Sequence, residues 1–87
     1  MNTWEIEILN SVNQLGGEAD LRQIYGRLEK NIRLGRDHLR PTRWGGRPAY
    51  QHQVRSHISN LCETGQLRWV SRGRYAITAA GRPRLPL

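Results

Sequence analysis

Between Pro48 and Thr78 the apolar period of the chain changes, and that change constrains the fold more than any other feature. From Pro48 to Cys62, Val54, Ile58, Leu61 and Cys62 recur at helical spacing, with Tyr50 at the edge of the stripe. Glu63-Thr64-Gly65 ends this period, and Gly65 is the natural C-terminal cap because glycine enters the left-handed region without a Cβ clash. Leu67 to Ser71 and Arg74 to Thr78 then read as two strands around Arg72-Gly73, a pair suited to a two-residue turn. The spacing therefore predicts a helix over 48–62 followed at once by a hairpin, with Pro48 in the first turn, where its missing N–H costs nothing. With that turn Val70 faces Tyr75 and Trp69 faces Ala76, on opposite sides of the ribbon. Val70, Tyr75 and Ile77 are expected to pack on the helices and Trp69 to look outward, unless the register slips by one residue.

Two shorter helices are predicted upstream. Asn2 with Glu5 is a capping signature, and Trp4, Ile8, Val12 and Leu15 lie near one face of a 3.6-residue repeat with Leu9 at its border. Gly16 and Gly17 end this helix; Ile6 falls opposite the stripe, as a singly exposed apolar residue or a dimer contact. Glu18 and Ala19 leave room for a very short extended piece. Asp20 with Gln23 caps a second helix, whose stripe of Leu21, Ile24, Tyr25, Leu28 and Ile32 runs to about Asn31.

Residues 33–47, RLGRDHLRPTRWGGR, hold five arginines and no sustained period. A connection of this length is either a solvated loop or a basic segment that tracks a phosphate backbone and orders on binding. Trp44 within it is either an anchor over the core or an aromatic open to stacking. The closing AAGRPRLPL, with two prolines and no period, reads as a linker or frayed end that leans towards a continuation of the chain.

Charge is polarised along the sequence. Residues 1–31 carry five acids against three bases, a balance of −2, whereas residues 32–87 carry eleven arginines against Asp37 and Glu63, a balance of +9. A GC-rich genome would explain arginine outnumbering lysine 13 to 1, but not this asymmetry. A basic half beside a mildly acidic one is the footprint expected for a polyanion partner. Around the 48–62 helix, the face opposite the apolar stripe carries His52, Gln53, Ser56 and Asn60, flanked by Arg55, His57 and Ser59, and no acid. These are side chains able to reach base edges or phosphate oxygens.

Several functions find no support. The sequence shows no GxxxxGK[ST], no HExxH, no paired cysteines and no acidic cluster of the kind a nuclease needs for Mg2+. His52, His57 and Cys62, spaced by five, do not share one helical face, so neither a metal site nor a cofactor is expected. Cys62 reads as a small buried hydrophobe. No run approaches the roughly 18 apolar residues of a membrane span, and the two glutamates near the N-terminus do not suit a signal peptide, so a cytoplasmic location without membrane contact is expected.

The order helix, extended piece, helix, helix, hairpin, together with Val54, Arg55, Ile58, Leu61, Gly65, Leu67, the run Val70 to Thr78 and Gly81, resembles the winged helix domains attached to bacterial restriction endonucleases, including those acting on modified DNA. It is similar, more loosely, to the winged helices of small transcriptional regulators. The resemblance spans residues 4 to 81 and is carried by the third helix and the wing; the fifteen residues joining the second and third helices depart from the short connection usual in a helix-turn-helix. It implies a small α+β domain over residues 1–81, with three helices and a two-stranded hairpin wing, followed by a linker or disordered tail at 82–87. It further implies double-stranded DNA as partner, the 48–62 helix in the major groove and the wing (71–74) on the backbone or minor groove. Arg43, Arg47, Arg72 and Arg74 would then neutralise phosphates, His52, Gln53, Arg55, Ser56 and Asn60 would address base edges, and Ser59 would lie beside them at the DNA. As a narrower expectation, Trp44 and Trp69 would offer apolar surfaces to a methylated base, and a nuclease domain or chain in a restriction-modification system would supply any catalysis, the domain itself being no enzyme. The rival expectation is a protein-interaction winged helix docking through Trp44, Trp69 and Ile6, or a regulator without modification sensing.

Overall fold

A computed structural model of the chain describes residues 3–32, 46 and 48–82. Among them run α1 (Thr3–Gln14), β1 (Glu18–Asp20), α2 (Leu21–Asn31), α3 (Tyr50–Glu63), β2 (Leu67–Ser71) and β3 (Arg74–Ile77). The result is a small α+β arrangement: three helices against one antiparallel sheet of order β1-β3-β2. Arg43, Trp44 and Arg47 lie outside the described residues, as do residues 83–87.

The two-stranded wing of the sequence reading is thus a three-stranded sheet. β1 pairs with β3 through Glu18 to Ala76, Ala19 to Tyr75 and Asp20 to Arg74. Backbone bonds extend the pairing at both ends, from Ile77 N–H to the Gly17 carbonyl and from Leu21 N–H to the Gly73 carbonyl, each 2.8 Å. Gly16 and Gly17, with φ of 97° and 94°, turn the chain directly from α1 into this strand. α2 begins at once, because Asp20 accepts from Gln23 N–H at 2.8 Å and the Gln23 side chain accepts from Asp20 N–H at 3.0 Å, closing the expected capping box.

In the hairpin the register differs from expectation. Trp69 pairs with Tyr75, Arg68 with Ala76 and Ser71 with Arg74, so Val70 is the extra residue of a bulge. Leu67, Trp69, Tyr75 and Ile77 consequently share the face that looks towards the helices, and Val70 stays half-buried outside the core cluster. Trp69 is nonetheless 60% exposed. The register has slipped by one residue, so Trp69 shares the face of Tyr75 rather than lying on the opposite one, and only its exposure matches expectation.

The core joins Ile8, Leu9 and Val12 of α1, Ile24 and Leu28 of α2, Val54, Ile58 and Leu61 of α3, and Leu67 and Ile77 of the sheet. Leu9 is fully buried rather than bordering, and Ile6 is half-buried rather than exposed. Tyr50 departs furthest from expectation. Instead of standing at the edge of the stripe it is fully buried, stacked on Trp4 with centroids 6.3 Å apart and meeting Tyr25 edge-on at 6.1 Å. Its O–H donates to Glu29 Oε2 at 2.6 Å, and burial, reinforced by that carboxylate, holds the phenol well above the usual tyrosine range. Pro48 precedes the helix rather than opening it; its carbonyl accepts from Gln51 N–H at 3.1 Å, and α3 begins at Tyr50.

Past β3 the chain folds back instead of fraying. Thr78 N–H bonds the Gln66 carbonyl at 3.0 Å, and Gly81 and Arg82 N–H groups both reach the Thr78 carbonyl. Gly81 is buried against Gln66, whose carbonyl occupies the space a Cβ would need. Among the described residues no helix is long and apolar enough to cross a membrane.

Candidate nucleic-acid interface

α3 buries Tyr50, Val54, Ile58 and Leu61, spaced by four and three, which turns the intervening residues outward. His52, Gln53, Arg55, Ser56, Ser59 and Asn60 are all exposed, and no acid interrupts them before Glu63 at the helix end. The structure thus brings together on one helix every α3 residue expected at a polyanion. His57 is the exception among the flanking residues considered. Its Nδ1 lies 3.1 Å from Glu5 Oε2 of α1, both side chains largely covered, so it ties α3 to the scaffold.

The wing is less uniform. Arg72, in the turn, is exposed and has no ion-pair partner among the described residues. Arg74, expected to act alike, instead donates from Nε to Glu18 Oε2 at 2.6 Å, bonding β3 to β1. Glu18 thus engages its Nε and offsets part of its charge, while the side chain stays partly exposed. Trp69 presents its ring on the same hairpin, next to the exposed Arg68.

Sequence reasoning missed an open groove of about 560 Å3 between α2 and α3. Arg22, Tyr25, Gly26 and Glu29 line it from α2, at the i, i+3, i+4, i+7 spacing of one helical face, and Gln51 and Arg55 from α3. Arg55 therefore faces α2 as well as solvent. The Arg22 stripe was visible in the sequence; its convergence with Arg55 was not, because it depends on how two helices pack across residues 33–47. Leu21 also lines the groove, and its bond to Gly73 brings Arg22 and Arg72 within one residue of a shared backbone contact.

Among the described residues no group of histidine, cysteine or carboxylate side chains is arranged to hold a metal ion. Cys62 is half-buried, and burial pushes its thiol up, away from the reactive thiolate. Comparison with protein-family models, curated proteins and solved structures returns no match.

Proposed function

We propose that this is a winged helix module that binds double-stranded DNA, α3 lying in the major groove and the Arg72-Gly73 turn meeting the backbone or minor groove. The observation that carries it is the outer face of α3, exposed and built from amide, hydroxyl, imidazole and guanidinium groups with no acid before its last residue. A helix of about 10–12 Å diameter matches a major groove about 12 Å wide. Gln53 and Asn60 suit adenine edges, Ser56 and Ser59 reach either base type, and Arg72 suits a phosphate. The element order, with β1 and the hairpin in one sheet, is compatible with the winged helix. Arg43 and Arg47 extend the phosphate contacts in this reading. Catalysis belongs to a nuclease domain or chain of a restriction system.

Binding of the chain to a labelled duplex across a salt series tests this. Each neutralised phosphate contributes about −0.9 to the log–log slope, and a flat dependence would remove the proposal. A methylated duplex and its unmodified twin compared in the same assay test the narrower role of Trp44 and Trp69; equal affinities would exclude methyl reading. One observation favours a second reading. Trp69 at 60% exposure is an apolar surface on the wing, and a chain that docks a protein through it would lose that contact, but not DNA affinity, on Trp69→Ala.

A further inference from the structure

A glycine inside a helix is less stable than an alanine, unless something occupies the place of its Cβ. Gly26 stands in the middle of α2, and a Cβ built there would meet no atom of the described residues outside its own helix within 4 Å. Nothing in the packing of the described residues asks for glycine at this position. Yet Gly26 forms part of the α2 wall of the groove, with Arg22 one turn before it and Arg55 of α3 contributing to the same lining. Both arginines are exposed and neither has an ion-pair partner among the described residues. A bare stretch of backbone beside two unneutralised guanidinium groups is a place where an anionic chain can approach closely.

We infer that the α2–α3 groove seats a phosphodiester of one DNA strand, which passes over Gly26 and is held by Arg22 and Arg55. The inference rests on the DNA-binding reading and changes the part assigned to α2, which becomes a second contacting element. Gln51, half-buried on the α3 wall one turn before Arg55, adds an amide donor. Glu29 also lines the groove, but lies two helical turns from Arg22, about 10 Å along the axis, with one oxygen committed to the Tyr50 hydroxyl. It marks the end of the seat, since a phosphate there would meet a carboxylate. The Leu21–Gly73 bond places Arg72 beside the Arg22 end, so the strand continues from the groove to the wing.

The inference predicts opposite signs for stability and binding at one residue. Gly26→Ala should raise the melting temperature by about 2–8 °C while weakening binding to a short labelled duplex of random sequence. Arg22→Ala should weaken the same binding about eightfold at ~0.1 M salt and flatten the log–log slope by about 0.9, the effect of one lost phosphate contact. Lys30→Ala, which removes an equal charge from α2 outside this groove, should cost less than about twofold. If Gly26→Ala binds as the wild type does, or if Arg22→Ala and Lys30→Ala lose equally, the groove is not a seat, and DNA binding by α3 and the wing still stands. Failure of the wild-type chain to bind the duplex at low salt would overturn both.

Discussion

Tyr50 connects the structural and the exposed parts of this domain in a single side chain. Its ring fills the space between Trp4 of α1 and Tyr25 of α2, and its hydroxyl crosses to Glu29 at the groove. A hydrogen bond to a charged acceptor contributes about 1.5–3 kcal/mol, so Tyr50→Phe, which keeps the ring, should destabilise by that amount in urea unfolding near neutral pH. The pH dependence follows from burial first and the carboxylate second, both of which raise the folded-state pKa. With the proton held tighter in the folded protein, this contribution is complete below the unfolded value of about 10 and declines as pH rises beyond it. The stability difference between wild type and Tyr50→Phe should therefore shrink from pH 9 to pH 11, and a difference that grows would refute the assigned pairing. Sequence periodicity put Tyr50 at a helix edge because it measures one helix alone, whereas its burial is made by α1 and α2 together.

Among the elements, the least conspicuous ones decide how the sheet is held. β1 is three residues long, yet it joins the turn after α1, the cap of α2 and both ends of β3. The segment after β3 closes the other side, Gly81 packing where only a hydrogen fits against the Gln66 carbonyl. Gly81→Ala should then cost about 1–3 kcal/mol, because backbone on both sides must shift to admit a methyl group. Thermal unfolding checks this; an unchanged melting temperature would mean the turn is not fixed. Local signals made much of this legible in advance. The bounds of α2, its capping box and the glycine pair closing α1 are written in neighbouring residues, as is the outer face of α3. The bulge at Val70, the pairing of β1 with β3 and the tie from Arg74 to Glu18 are set by contacts distant in sequence, and a period-two reading without the bulge misplaces Trp69 by one partner. Gly26 was readable as a helical glycine, but the absence of any described residue packed at its Cβ position from outside the helix depended on the packed helices.

Over the whole molecule, the acidic and basic halves of the sequence are not merely side by side. Glu18 from the acidic half pairs with Arg74 in the basic half, so part of the positive charge is spent internally to fix the wing, while Glu5 contacts His57 and holds α3. Arg22, Arg55 and Arg72 remain exposed, and as three phosphate contacts they would contribute about −2.7 to the salt slope. A division of labour follows between the turn and the helix. Arg72→Ala should weaken binding to all duplexes alike and flatten the slope by about 0.9, because a phosphate contact carries no sequence information. Gln53→Ala should leave the slope unchanged and reduce discrimination among duplexes selected from a random pool by about 1–3 kcal/mol, the worth of a bidentate base contact. Measuring both variants on a selected and an unrelated duplex, each over a salt series, separates the two effects. If Arg72→Ala erases preference while Gln53→Ala weakens every duplex equally, the turn reads the bases and α3 rides on the backbone, and the orientation proposed for the domain must be reversed.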